Sequence, residues 1–367
     1  MILNKSMKMK KQLASSLAVA FSTVLLWSCN QSDPAAKGDY VSGVFVSNEG
    51  NFTQNNGAIS YFPRERTTAD PDIFAAANGT NLKGGVQDFV AANGKGIILV
   101  DNSAAGQDKV EFVDSHTFKS EGTIGAPDIE NPREVVLVGN KAYVSCLGTN
   151  ADLKYTTGYI AVIDITTKKV TKKINVADGP ENLVYNNGKL YIGTIQWGAG
   201  NKLAIINTTS DEATSPIATP GIANPVGIDA NGKLWVNAGS KVLRINTETN
   251  VTEATLPIAT GGDKTPGNFT FSADLKSIFF VLSGFNAMGK EYGATYKFSI
   301  SDTQIAMATP LISRYFSGLA VDPLQGLLYA GVSPSYTQAG YAVRYRTDGS
   351  VVDSIKVGVI PTGFFFQ

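Results

Sequence analysis

The 367-residue sequence predicts an all-β fold, a closed ring of seven four-stranded blades, on three observations. A turn-and-strand unit recurs along the chain, its copies are regularly spaced, and the last residues read as a strand without a blade of its own. NGKLYIG (Asn187–Gly193) returns 44 residues later as NGKLWVN (Asn231–Asn237). The wider set is SGVFVSN at Ser42, GKGIILV at Gly94, NKAYVSC at Asn140, GKLYIGT at Gly188, GKLWVNA at Gly232, LKSIFFV at Leu275 and QGLLYAG at Gln325. The intervals are 52, 46, 48, 44, 43 and 50 residues, the period of a four-stranded propeller blade. One copy cannot cover its own apolar faces, whereas a ring of seven buries them against neighbours.

The chain starts with a segment of another kind. Lys5, Lys8, Lys10 and Lys11 precede a charge-free run from Leu13 to Leu26, and Leu26-Trp27-Ser28-Cys29 closes it. This reads as a lipoprotein signal peptide over residues 1–28, because the apolar run is too short to span a bilayer. Trp27 stands where a smaller residue is usual. Cys29 would then carry acyl chains, the only membrane attachment expected, and residues 29–39 would be a polar tether. Cleavage leaves 339 residues (367 minus 28) and, without the four lysines, 27 basic against 31 acidic side chains, a net charge of −4. With no basic cluster, nucleic-acid binding is not expected. Cys146 is the one other cysteine, so the fold must be held by its core and not by an internal disulfide.

Residues 40–367 are assigned to the propeller. One helix is expected over PDIFAAAN, with Asp70 as cap, Pro71 first inside and Gly79 as terminator. The unit after Gly179 shows four strands: NLVYN, an Asn-Gly turn, LYIGT, then KLAIINT and the outer TSPIAT. YIAVIDITTKKVTKKI (Tyr159–Ile174) repeats the strand–turn–strand order. The closing PTGFFFQ resembles the inner strands that follow a Pro or Gly elsewhere, and the first blade lacks such a strand. The C-terminus should therefore complete blade one, with Phe364 and Phe366 on one side and Phe365 on the other, and remove an open sheet edge.

Loop lengths separate the two faces of the ring. Turns joining strands one to two and three to four are short, whereas the strand two-to-three loops and blade connections are long and rich in aromatics. Ordered long loops on a rigid scaffold are where binding usually sits. This places Phe52, Tyr155, Trp197, Phe285, Tyr292 and Tyr336 on one face, each able to bury ~150–250 Å². The inner-strand starts add Gln87, Asp88, Arg133, Glu134, Glu181, Asn182, Asn268 and Ser317 near the channel mouth. Polar groups inside an aromatic rim suit a bulky small molecule. Hydrogen bonding to a neighbouring blade is the bland alternative for each of these polar residues.

Catalytic chemistry has little purchase here. The single histidine, His116, falls in a three-to-four turn on the short-loop face, away from the aromatic rim. Cys146 ends a second strand with no histidine partner and reads as a small buried thiol. No phosphate loop, zinc pattern or calcium loop is present, so no metal or cofactor is expected. Glu134 and Glu181 could in principle hydrolyse a substrate, but two acids in a seven-bladed ring are weak evidence for an enzyme.

FVSNEGNFTQNNGAISYF (Phe45–Phe62) and NGTNLKGGVQDFV (Asn78–Val90) resemble the opening of Bacteroidota surface lipoproteins built as seven-bladed YncE-like propellers. VIDITTKKV and VADGPENLVYNNGKLYIG are similar to the repeats of that wider group, and the likeness runs from about Tyr40 to Gln367. It implies an outer-membrane, surface-exposed binding protein that works with a TonB-dependent transporter. Members of such a group capture vitamin B12 or ferric siderophores, so the expected ligand is a bulky nutrient passed on unaltered. Two other classes remain open: a scaffold docking a surface protein or glycan, and a propeller hydrolase such as a lactonase.

Overall fold

The computed structural model describes residues 38–149, 156–176, 179–194 and 201–367. Residues 38–367 form one compact unit, a ring of seven antiparallel blades. Blades two to five follow the chain, beginning at the inner strands Gly85–Ala92, Pro132–Val138, Pro180–Asn186 and Ala223–Ile228. Blades six and seven begin at Thr265–Phe271 and Gly318–Val321. Blade one is composite: the C-terminal strand Pro361–Phe366 pairs with Val44–Asn48, which pairs with Ala58–Phe62.

In blades one and six the fourth position is reduced to a single bridge, Tyr61 to Asp70 and Thr295 to Ile312. Pro71 directly after Asp70 and Pro310 before Ile312 lack an N–H, so neither ladder can lengthen there. The short helix spans Ile73–Asn78 and its cap is Asp72, not Asp70: the Asp72 carboxylate accepts from Ala75 N at 3.0 Å. Asp70 is committed instead to the sheet through its backbone bonds with Tyr61. Gly79 ends the helix in the left-handed region, as expected.

Seven hydrophobic clusters hold the described residues, each shared by two neighbouring blades. Strand alternation makes this possible. On Ser277–Phe285, Ile278, Phe280 and Leu282 face blade five while Phe279 and Val281 face blade seven. The closing strand behaves likewise: Phe365 meets Phe45 and Phe89, whereas Phe364 and Phe366 lie against Tyr329.

The two NGK turns reach their strands differently. Asn187 and Gly188 both have positive φ (46° and 81°), the tight hairpin pair. At the second turn Asp229 takes over: its carboxylate accepts from Asn231 N and Lys233 N, and from the indole of the fully buried Trp235 at 2.8 Å. His116 sits in its three-to-four turn, where its carbonyl accepts from Tyr40 N. Cys146 is buried, and that burial pushes its thiol up to about 12, so it is inert as a nucleophile near neutral pH.

Candidate ligand-binding face

The inner-strand starts are stitched to one another around the channel. Asp88 in blade two accepts from Val135 N of blade three at 3.0 Å. The Glu134 carboxyl receives Leu183 N–H and the Asn182 side chain of blade four. Asn268 donates to the Phe316 carbonyl at 2.9 Å, and Ser317 donates to the Pro361 carbonyl at 2.7 Å. Each of these bonds therefore reaches the following blade or the segment leading into it. Arg133 makes a forked pair with Glu181 (3.0–3.1 Å), also donates to Gln87 Oε1, and stands 4.0 Å from Asp101. Three candidate residues are thus joined across blades two, three and four, with their charges neutralised locally.

Enclosure shapes the acids in this girdle. Burial raises the Asp88 carboxyl to about 6, against the two backbone N–H groups that hold it down. Burial, reinforced by the charge of Asp88, lifts Glu134 well above the carboxylate range. Burial, then the nearby Asp108, brings Asp101 to about 7.

Two cavities adjoin this girdle. The larger, about 750 Å³, opens on the long-loop face among blades one, six and seven. Phe52, Asn268, Ser317 and Tyr336 line it, four of the residues expected on that face. The smaller, about 410 Å³, lies in the channel, with Glu134 and Asn182 in its wall, and the two meet at Asn268 and Thr362. Phe52 is carried on a short 3₁₀ turn capped by Asn51, whose amide also donates to the Tyr336 carbonyl at 3.1 Å. That bond ties the loops of blades one and seven together. Across the cavity, Asn286 accepts from Met288 N and Lys290 N, folding the blade-six loop into a tight turn.

Phe285 and Tyr292 are exposed but belong to the paired strand ends that flank the blade-six loop, not to the loop itself; they do not line either cavity, and Lys264 stands 5.3 Å over the Tyr292 ring. Tyr155, Trp197 and Cys29 lie outside the described residues. The cavity also recruits Glu49, Met288, Glu291 and Tyr315, which sequence reasoning did not select. Glu49 stands three residues before Phe52 and Tyr315 two before Ser317, so proximity to chosen residues was the available signal. Among the described residues no group of three or more His, Cys, Asp or Glu side chains is placed to hold a metal ion.

The model of one family, a domain of unknown function called DUF5074, matches residues 42–367. The chain belongs to that family. No curated protein sequence is significantly similar to it. The fold resembles a quinonprotein alcohol dehydrogenase-like protein of Bacteroides thetaiotaomicron, with a TM-score of 0.61 and 19% identity over 89% of this chain and 78% of that one. It also resembles the hydrazine synthase of Kuenenia stuttgartiensis (TM-score 0.52, 17% identity, 72% and 85% covered). The WD40 domain of Neurospora crassa Pan2 is similar at a TM-score of 0.52, with 10% identity and 77% and 81% covered. At these identities the DUF5074 chain shares the propeller fold with them, and function has to be argued from its own residues.

Proposed function

We propose that this DUF5074 propeller is a binding protein that captures a bulky small molecule in the cavity among blades one, six and seven. The observation that carries the reading is that cavity: about 750 Å³, with rings of Phe52, Tyr315 and Tyr336 and the polar groups of Asn268 and Ser317 in one wall set. Its volume is in the range of small-molecule sites, and its loops are cross-tied by the Asn51–Tyr336 bond rather than free. Phe52 and Tyr336 are 57% and 55% exposed, so a ligand that covers the remainder of either ring gains about 2–3 kcal/mol before ordering costs.

The lipoprotein-like start and the resemblance of the opening residues extend the proposal. The protein would be held at the outer-membrane surface through Cys29 and would capture a corrinoid-like or ferric-siderophore nutrient for a TonB-dependent transporter. It would act without chemistry on the ligand. A second reading, docking of another surface protein or glycan, is favoured by the exposure of Phe285 (59%) and Met288 (87%) on the same rim.

Calorimetric titration of residues 38–367 with cobalamin and a panel of ferric siderophores tests the capture reading. Saturable binding that weakens on Tyr336→Ala supports it. No heat with any member removes those nutrients and shifts the reading to a protein or glycan partner.

A further inference from the structure

Two carboxylates share the wall of the large cavity, Glu49 from the blade-one loop and Glu291 from the start of a blade-six strand. Both are half-buried, and among the described residues no lysine or arginine nitrogen forms an ion pair with either. The guanidinium deeper in the girdle, Arg133, is paired with Glu181, and its charge reaches Glu49 only as a weaker contribution without an ion pair. Tyr315 lines the same cavity, and burial, then the charge of Glu291, holds its phenol protonated. Phe52 and Tyr336 contribute ring faces at the rim, 57% and 55% exposed. Lys290 also lines the cavity, but it is exposed at the end of a long stem and can stay in bulk water.

This wall is selective by charge. A ligand filling the cavity strips water from two half-buried carboxylates, which is costly unless donors or a positive charge replace it. An anion would lose that water and meet like charge as well. A cation gains on both counts, because π faces attract cations through their quadrupole. We infer that the large cavity selects a cationic group, seated between Glu49 and Glu291 against the rings of Phe52, Tyr315 and Tyr336, and rejects an anionic one. This deepens the capture reading and rests on it: among bulky nutrients it favours those carrying an ammonium or many N–H donors over polyanionic iron chelates.

The test uses small probes with residues 38–367, independent of the true nutrient. Benzyltrimethylammonium and phenylacetate are titrated separately by ligand-observed NMR, into the native sequence and into Glu49→Gln and Glu291→Gln, which keep side-chain shape and an acceptor for Tyr315. The expected result is cation binding at least about tenfold tighter than anion binding, the scale of one partly desolvated charge contact, with the ratio falling toward one in both variants. Equal or tighter binding of phenylacetate overturns the inference, as does a ratio that survives both substitutions, or no binding of the cation at about ten millimolar. A cation preference with no nutrient bound in calorimetry would reject the nutrients but keep the charge selection. Nutrient binding without that preference would do the reverse.

Discussion

The ring closes through a buried ion pair as well as through strand pairing, and Asp322→Asn is the sharpest test of how it holds. Arg64, just beyond the third strand of blade one, places Nε 2.6 Å from Asp322 Oδ2 in blade seven, with side chains 8% and 0% exposed. The same guanidinium donates to the Gln367 carbonyl at 2.8 Å, so it fastens the closing strand to both blades. Asparagine would still accept from Leu324 N, which Asp322 Oδ1 does at 2.9 Å, but its amide nitrogen would replace Oδ2 and turn a donor toward Arg64 Nε, so the substitution removes both the charge and that bond. Removing one partner of a buried pair leaves the other uncompensated, a loss of about 3–5 kcal/mol. Against a typical total of about 5–15 kcal/mol this is a large fraction. Urea unfolding followed by tryptophan fluorescence reads it, since Trp235 is fully buried. The double replacement Arg64→Met with Asp322→Leu removes both charges and should recover most of the loss, less about 1 kcal/mol for the Leu324 N–H. A loss under about 1 kcal/mol for Asp322→Asn, or a double variant as unstable as the summed singles, would refute the orphaned-charge argument.

Gly331→Ala should lower stability by more than about 2 kcal/mol, because its Cβ would stand 2.0 Å from the Pro361 carbonyl of the closing segment. Gly267→Ala, with nothing within 4 Å of the new carbon, should shift the melting temperature little, and similar effects at both sites would contradict this. Tyr336→Ala should cost about 2 kcal/mol of affinity for any ligand found in calorimetry, while leaving melting unchanged to within about 1 °C. Melting should also fall as pH rises from about 5 to 8. Asp88, raised to about 6, and Glu134, raised well above the ordinary carboxyl range, bind protons more tightly when folded. That stabilisation is complete below the ordinary carboxyl range and is lost as pH climbs through the raised values. Acids held low by their turns, such as Asp114, act with the opposite sign but below this window. Glu134→Gln should flatten the slope, and an unchanged slope would assign the effect elsewhere.

Most of the architecture was legible because its determinants are local. Turn residues such as Asn187-Gly188 prescribe their own backbone, and a period of two sends Phe364, Phe365 and Phe366 to opposite clusters without knowledge of the fold. The helix cap was misassigned because two aspartates flank Pro71 and the competing demand on Asp70, a sheet bond to Tyr61, is not local. Blades one and six show the same limit, since whether a fourth strand pairs at more than one residue depends on what lies opposite it.

The site was only half legible, and the reason lies in symmetry. Seven similar inner strands make seven similar starts, so position alone could not distinguish an available polar group from one spent on the next blade. Pairing decides that, and pairing depends on which starts are adjacent in the ring: Gln87, Arg133 and Glu181 combine because blades two, three and four are consecutive. Loop length sets blade five apart but does not by itself mark the cavity wall, since blades two, three and four carry seven, twelve and seven residues between their second and third strands. Blade five joins its second and third strands, Lys233–Ala238 and Lys241–Asn246, across two residues. Blades one, six and seven spend longer segments there and raise walls around Asn268 and Ser317. The cavity lies off-centre, lined by the loops of blades one, six and seven. Changing those three loops on an unchanged ring should alter what is bound without altering how the protein folds.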